Sequence, residues 1–449
     1  MKESSKPIID ILYINNKPNI RTNIDIKSKI KFIKTMNERR IDLITYCLLQ
    51  FKGLIRYLHF NGVSKDDIRK ISHYITYKKK KKKKMTWKKK KTSVIMKVYL
   101  MKNPQNKILY KKGIKGVYLG ENINSNEGVI SKLIKIDKEN KKPKFEDLLK
   151  EVYFLAAFKK NDYFNEIIDV FLSQNDENVN IVLKDEGINL KDLIEFNDFD
   201  YESRYPHISR SIIFRVTCGL YDLHKLGLSH NDIKLSNITL SNHGTSKICD
   251  FGSIDKIEKG SNVGTSGYYS PQNLLGKGKS KEDDMWAIGV VFLELLKRKP
   301  NMFSYSKNYQ STTINTQHEC ELKDILRYNY NIYINGQKQE NDNPITLNTI
   351  IQFIKDNNYN AFKVELKDEL LQGINDNDII IIKRLLEFDP EKRMTSEELI
   401  KHELFKNYKY EKKPINYKEG DYNNYLENVN DFNIFKRNLE LIREKLIMT

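Results

Sequence analysis

The chain has 449 residues, a mass of 53.0 kDa and a formal net charge of +19, with 39% apolar and 31% charged residues. That length calls for one large domain or two to three small ones, and the apolar share suffices for a buried core. Cys47, Cys218, Cys249 and Cys320 are scattered without CxxC spacing, which excludes a zinc-ribbon or disulfide framework, and no stretch reaches the ~20 apolar residues of a spanning helix.

The positive balance favours acidic partners in principle. Lys, Asn and Ile nevertheless dominate everywhere, as an AT-rich genome would give, so charge alone selects no function. The opening MKESSKPIIDILYI has no uninterrupted apolar core of a signal peptide, its Met-Lys start lacks a myristoylation signal, and Leu-Ile-Met-Thr at the end is no prenylation box. These features give an expectation of a cytoplasmic or nuclear protein without a membrane span.

Residues 1–77 read as a mostly helical extension: Ile30, Phe32, Ile33, Ile41, Leu43, Ile44, Cys47, Leu48 and Phe51 recur at near-helical spacing, and Ser64 with Asp67 resembles a capping box. Residues 78–92 form a linker with two lysine runs, Lys78 to Lys84 and Lys88 to Lys91. Such repelling charges cannot be buried, so disorder is expected, with contact to a polyanion or import receptor as the functional reading. A low-complexity insert without a specific role is the plainer one.

From about residue 93 the alternation turns to period two, through Val94, Met96, Val98 and Leu100. Two strands flank a glycine-bearing segment, Lys112 to Gly120 and Gly128 to Ile136. Phe145, Leu148, Leu149, Val152, Leu155 and Ala156 then share a helix face. Strands resume near Ile167–Leu172 and Val179–Leu183, and the rest reads as mainly helical, apart from an Asn-, Gln- and Tyr-rich insert at about 301–360 that reads as partly helical with a disordered tip. Residues 411–449 form a C-terminal helical tail.

Chemistry concentrates in Leu228-Ser-His-Asn-Asp-Ile-Lys-Leu-Ser-Asn-Ile238. An aspartate, a lysine two residues on and an asparagine five residues on suit phosphoryl transfer. A carboxylate can orient a hydroxyl, a cation can neutralise the moving phosphoryl, and an amide oxygen can help hold a metal. Asp250-Phe-Gly252 follows, with an aspartate placed for Mg²⁺ and a glycine for a sharp turn.

With these motifs the chain resembles the eukaryotic protein kinases of the serine/threonine type. His230-Asn-Asp232 stands for His-Arg-Asp, and Gly264-Thr-Ser-Gly-Tyr-Tyr-Ser-Pro-Gln272 resembles the end of an activation segment. Asp284-Met-Trp-Ala-Ile-Gly289 and Leu385-Leu-Glu-Phe-Asp-Pro-Glu-Lys-Arg393 resemble later family motifs. The resemblance implies an α+β, two-lobed fold over 93–410. The small lobe, a β-sheet with one helix, would span about 93–187, and the larger, mainly helical lobe about 188–410.

The resemblance also implies roles. Asp232 would be the catalytic base, Lys234 would contact the γ-phosphate of ATP, Asp250 and Asn237 would hold Mg²⁺, and Thr265 would close the peptide site. Phe251, His230 and Leu155 would stack in a hydrophobic spine, and Asp284 would tie down the catalytic loop. Gly113 and Gly116 stand for the second and third glycines of the phosphate loop, with Lys111 at the first. The phosphate-gripping lysine is assigned to Lys135, in Leu133-Ile-Lys-Ile136, with Lys132 second, and its partner to Glu151. Leu183 is the gatekeeper and Asp185–Gly187 the hinge. The partners implied are ATP and a protein substrate offering Ser or Thr.

Three departures stand out. Asn231 replaces the arginine that clamps a phosphorylated activation loop, implying activity without loop phosphorylation. Gln272 replaces a glutamate opposite Arg393, turning a charge-assisted pair into a neutral hydrogen bond. The first loop glycine is missing, which leaves a pseudokinase scaffold as the alternative reading. A nucleic-acid binder using the lysine tract is a further alternative, although only Trp87 accompanies the tract.

Overall fold

In a computed structural model of the protein, the described residues are 9–14, 17–22, 98–100, 107–114, 117–122, 128–137, 143–173, 176–195, 205–241, 244–257, 264–277, 280–304 and 314–448. The lysine tract and the helical positions from Ile30 to Asp67 lie outside them. Two compact units are distinguished: Met1–Gly113 with Leu119–Gly128, and Ile114–Tyr118 with Val129–Thr449.

In the first unit, Ile9–Ile14 and Lys17–Thr22 pair as an antiparallel hairpin, Ile9 opposite Thr22 and Ile14 opposite Lys17. The spacing of apolar residues did not suggest this hairpin. Val98–Leu100 pairs with Lys107–Ile114.

The second unit holds the chemistry. Strand Gly128–Lys135 runs antiparallel to Asn178–Lys184, which in turn pairs with Ile167–Leu172. Helix Phe145–Ala157 follows the first of these strands and carries Glu146 and Asp147 in its first turn, where acids suit the helix dipole. Its later turns are buried nearly all round: Glu151, Val152, Tyr153, Phe154, Leu155 and Ala157 all lie inside. A helix end buried nearly all round must be covered nearly all round.

The larger lobe is built on two long helices, Tyr205–Lys225 and Lys281–Lys297, packed on each other. Ser280 caps the second by accepting from the Asp283 amide, and Met285 to Leu295 are buried without interruption. Trp286 lies against Phe388 and Phe303 at this core. The described residues of the polar stretch at 301–360, which are 301–304 and 314–360, include regular elements with a buried side. Helix Ile314–Asn329, strand Tyr330–Ile334 and helix Pro344–Lys355 bury Leu322, Ile325, Tyr330, Ile332, Leu347 and Ile350, and the strand pairs with Phe362–Leu366. Most described polar residues here are exposed or half-buried, Glu321, Asp324, Asn329 and Thr346 are buried, and the apolar ones recur at core spacing.

Two further helices, Glu419–Leu426 and Phe432–Met448, close the chain. Among the described residues, no helix is long and apolar enough to cross a membrane.

Candidate active site

Two small sheets stake out the central loop. Leu228–Ser229 pairs with Asp255–Lys256, and Ile238–Leu240 pairs with Ser246–Ile248. The loop between Ser229 and Ile238 therefore starts and ends on ladders that also frame Asp250-Phe-Gly252. The Cys249 amide donates to the Asn237 carbonyl at 2.8 Å, joining the two segments directly. Asp284, 1% exposed, accepts from the amides of His230 and Asn231, both at 2.8 Å, and lies 3.0 Å from His224 Nε2. A buried carboxylate satisfied this fully is a rigid post for the loop.

On that post four side chains converge. Asp232 Oδ1 accepts from the Thr265 hydroxyl at 2.6 Å. Its Oδ2 accepts from Lys234 Nζ at 2.7 Å and Asn237 Nδ2 at 2.9 Å. Lys234 also donates to Thr265 Oγ1 at 2.7 Å. A carboxylate offers about four acceptor positions, so the three bonds leave one for an incoming hydroxyl. Asn237 spends its amide hydrogens on Asp232, through the Oδ2 bond and a second to the Asp232 carbonyl at 2.9 Å. Its Oδ1 is thus turned away from this network and suits a cation.

Asp250 sits at φ 69°, with its side chain 44% exposed. Its Oδ1 lies 3.7 Å from Lys132 Nζ. Lys132 in turn bonds Glu151 Oε1 at 2.7 Å. Burial alone would lower the Lys132 pKa, but the carboxylates of Glu151 and Asp250 outweigh it and hold the ammonium above its ordinary value. Burial raises the Glu151 carboxyl, against the pull of Lys132.

The partner of Glu151 is therefore Lys132, and the assignment to Lys135 is corrected. Strand side chains alternate, so residues three apart point to opposite faces. Lys135 is exposed at the strand end, opposite Asn178. What placed Lys132 second is Ser131, fully buried at 0% exposure beside it. A small polar residue at a core position made Val129-Ile-Ser-Lys132 look less strand-like than Leu133-Ile-Lys-Ile136.

The remaining expected residues fall as follows. Gly113 lies near the end of strand Lys107–Ile114, and Gly116 is outside the described residues. Leu183 is half-buried in its strand, opposite Ile130 and Ile167. At Gly187, φ is +105° and an added Cβ would lie 2.3 Å from the Leu240 carbonyl oxygen, so only glycine fits there. Phe251 is buried against Phe164 and Phe158, and His230 and Leu155 are buried as well. Burial lowers the His230 pKa and keeps the ring neutral. Cys249, beside Asp250, has its thiol pushed up to about 12 by burial, so it is an inert small hydrophobe at neutral pH.

Other contacts were not legible in the motifs. Asn231 Nδ2 donates to the Ser229 carbonyl at 3.1 Å and to the Ser253 carbonyl at 2.9 Å, tying the loop to the segment after Asp250. Glu321, from the polar insert, accepts from Ser266 Oγ at 2.8 Å and the Gly267 amide at 2.7 Å, and so fixes the residues after Thr265. Arg393 Nη2 donates to Gln272 Oε1 at 2.8 Å, the neutral hydrogen bond in place of an ion pair.

Comparison with known sequences agrees with this geometry. The family profile described as "Protein kinase domain" matches residues 113–405. A probable serine/threonine-protein kinase of Encephalitozoon cuniculi is 37% identical over 144 residues, 30% of this chain and 26% of the relative. The serine/threonine-protein kinase CLA4 of Candida albicans is 28% identical over 190 residues, 41% of this chain and 19% of the relative. Extracellular signal-regulated kinase 1 of Dictyostelium discoideum is 29% identical over 205 residues, 43% of this chain and 34% of the relative. The matched region thus spans only about a fifth to a third of these relatives.

Proposed function

This chain belongs to the protein kinase domain family, and we propose that it is an active serine/threonine kinase that transfers the γ-phosphoryl group of ATP to protein hydroxyls. The observation that carries this reading is the assembled pair Lys132–Glu151 at 2.7 Å, with Asp250 3.7 Å from the same ammonium. Phosphoryl transfer rests mainly on positioning and charge stabilisation, and this pair is the part a scaffold would have no reason to keep assembled.

In the proposed reaction the substrate hydroxyl sits at the free acceptor position of Asp232. Its oxygen forms a bond to the γ-phosphorus while the bond to the β-phosphate oxygen breaks, and ADP leaves with that electron pair. The hydroxyl proton passes to Asp232. Lys234, held between Asp232 and Thr265, neutralises charge on the moving group. Lys132 grips the α- and β-phosphates.

Asp250 and the Oδ1 of Asn237 fit Mg²⁺, a hard cation that takes few protein oxygens and completes its shell with phosphate and water. Among the described residues there is no cluster of three His, Cys, Asp or Glu that would make an all-protein cage. Mg²⁺, when bound, supplies charge neutralisation at the phosphates.

Activity without phosphorylation of the activation segment is part of the proposal. It is supported by Asn231, whose bond to the Ser253 carbonyl closes within the chain the tie that an arginine would make to a phosphate. The test is transfer of labelled γ-phosphate from Mg·ATP to Ser/Thr peptides, followed by identification of the labelled amino acid. Label on serine or threonine supports the reading. Label on tyrosine alone, or ATP binding without transfer, contradicts it.

A further inference from the structure

The helix bearing Glu151 is covered by the chain's own C-terminus. Phe145, at its start, stacks on Phe435 with centroids 4.9 Å apart and rings 21° from parallel, and meets Phe432 at 5.8 Å. Further along, the Tyr153 hydroxyl donates to the Lys418 carbonyl at 2.9 Å. The terminal helix is itself anchored on strand Ile167–Leu172. Arg443 makes a two-pronged ion pair to Asp169 at 2.9 and 3.1 Å, with side chains 6% and 1% exposed. Glu419 bonds Lys256, just beyond Asp250-Phe-Gly252, at 2.6 Å.

The same 415–448 segment therefore grips three things: the helix of Glu151, the sheet behind it, and the strand leading into the activation segment. Glu151 is 7% exposed, and a carboxylate so desolvated is useful only while it meets Lys132. A 13-residue helix can shift as a unit, and such a shift would part the pair at once. The tail's contacts lie at both ends of that helix, where they oppose rotation as well as translation.

We propose that residues 415–448 are a built-in clamp that holds the Glu151 helix in its catalytic position, with Phe435 and Arg443 as positioning residues. The clamp rests on the reading of Lys132–Glu151 as the phosphate grip.

The test uses the full chain and the variants Phe435→Ala, Phe435→Leu and the milder, half-buried Phe432→Ala. Transfer kinetics with Mg·ATP are combined with hydrogen exchange of 145–157 and of 281–297. The expected result is a loss of about tenfold in kcat/KM for ATP in Phe435→Ala, in the usual range of coupling between sites. The loss is smaller in Phe432→Ala and largely rescued in Phe435→Leu, and exchange rises in 145–157 while 281–297 stays protected. Unchanged kinetics in Phe435→Ala overturn the clamp. So does exchange rising equally in 281–297, which marks general loosening. Wild type that transfers no phosphate overturns the reading of Lys132–Glu151 instead.

Discussion

Lys132 and Lys135 are three residues apart and offer the sharpest contrast in the molecule. Replacing Lys132 by Met removes one partner of a mostly buried ion pair. Loss of one partner from a fully buried pair costs about 3–5 kcal/mol. Here the lysine side chain is 36% exposed and the glutamate 9%. Solvent screening and protonation of Glu151, whose carboxyl is already raised, bring the cost down to about 1–2 kcal/mol. That is a fraction of the 5–15 kcal/mol that holds a domain together, so the variant folds. Activity falls much further. Loss of one preorganised charge at developing phosphate charge costs about 10²–10³ in kcat. Lys135→Met, exposed at its strand end, changes stability by less than about 0.5 kcal/mol and rate by about twofold at most. The assay is labelled-phosphate transfer at saturating and limiting ATP, with thermal melts alongside. Equal losses in the two variants, or a larger loss in Lys135→Met, refute the strand register and the pairing derived from it.

Other outcomes follow from the same structure. Burial raises Glu294 to about 7, where it accepts from the Tyr268 hydroxyl at 2.7 Å. The folded state thus keeps a proton that the unfolded state, at 4.5, releases. Stability from this group is full below 4.5 and is lost as pH rises to about 7, by about 3 kcal/mol at ~1.4 kcal/mol per unit. Glu294→Gln should flatten that slope in denaturant midpoints taken at about pH 5 and about pH 8; an unchanged slope counts against it. Gln272→Glu would give Arg393 an ion pair but set a carboxylate oxygen against the Phe388 carbonyl, to which the Gln272 amide now donates at 2.6 Å. It should therefore not raise the melting temperature, and a rise of several degrees would show the reasoning wrong. Phosphatase treatment of the wild type should leave transfer intact, because Asn231 supplies its tie to Ser253 without phosphate; loss of transfer refutes this.

The parts legible in the sequence are those whose geometry is local. Asp232, Lys234 and Asn237 lie within one short loop, so their spacing alone forces them together, and Asp250 follows two residues beyond the next hairpin strand. Glu151 was legible because helical periodicity fixes a face. Lys132 ranked only second, behind Lys135, since strand register depends on which positions are buried, and buried Ser131 carries no apolar signal. Glu321 and Arg443 escaped for another reason. Their partners, Gly267 and Asp169, are 54 and 274 residues away, and no pattern along the chain encodes such contacts. In the polar insert, composition gave partial helix but not the core: Leu322, Ile325 and Leu347 are buried there together with the polar Glu321 and Asn329.

The central claim is that Asp232, on a loop fixed by Asp284, receives the proton of a serine or threonine hydroxyl. The most direct measurement is single-turnover transfer from Mg·ATP by wild type and Asp232→Asn, with nucleotide affinity measured on both. The account predicts rapid transfer by wild type, near-complete loss in the variant, and similar nucleotide affinity. Transfer at an undiminished rate by Asp232→Asn would contradict it.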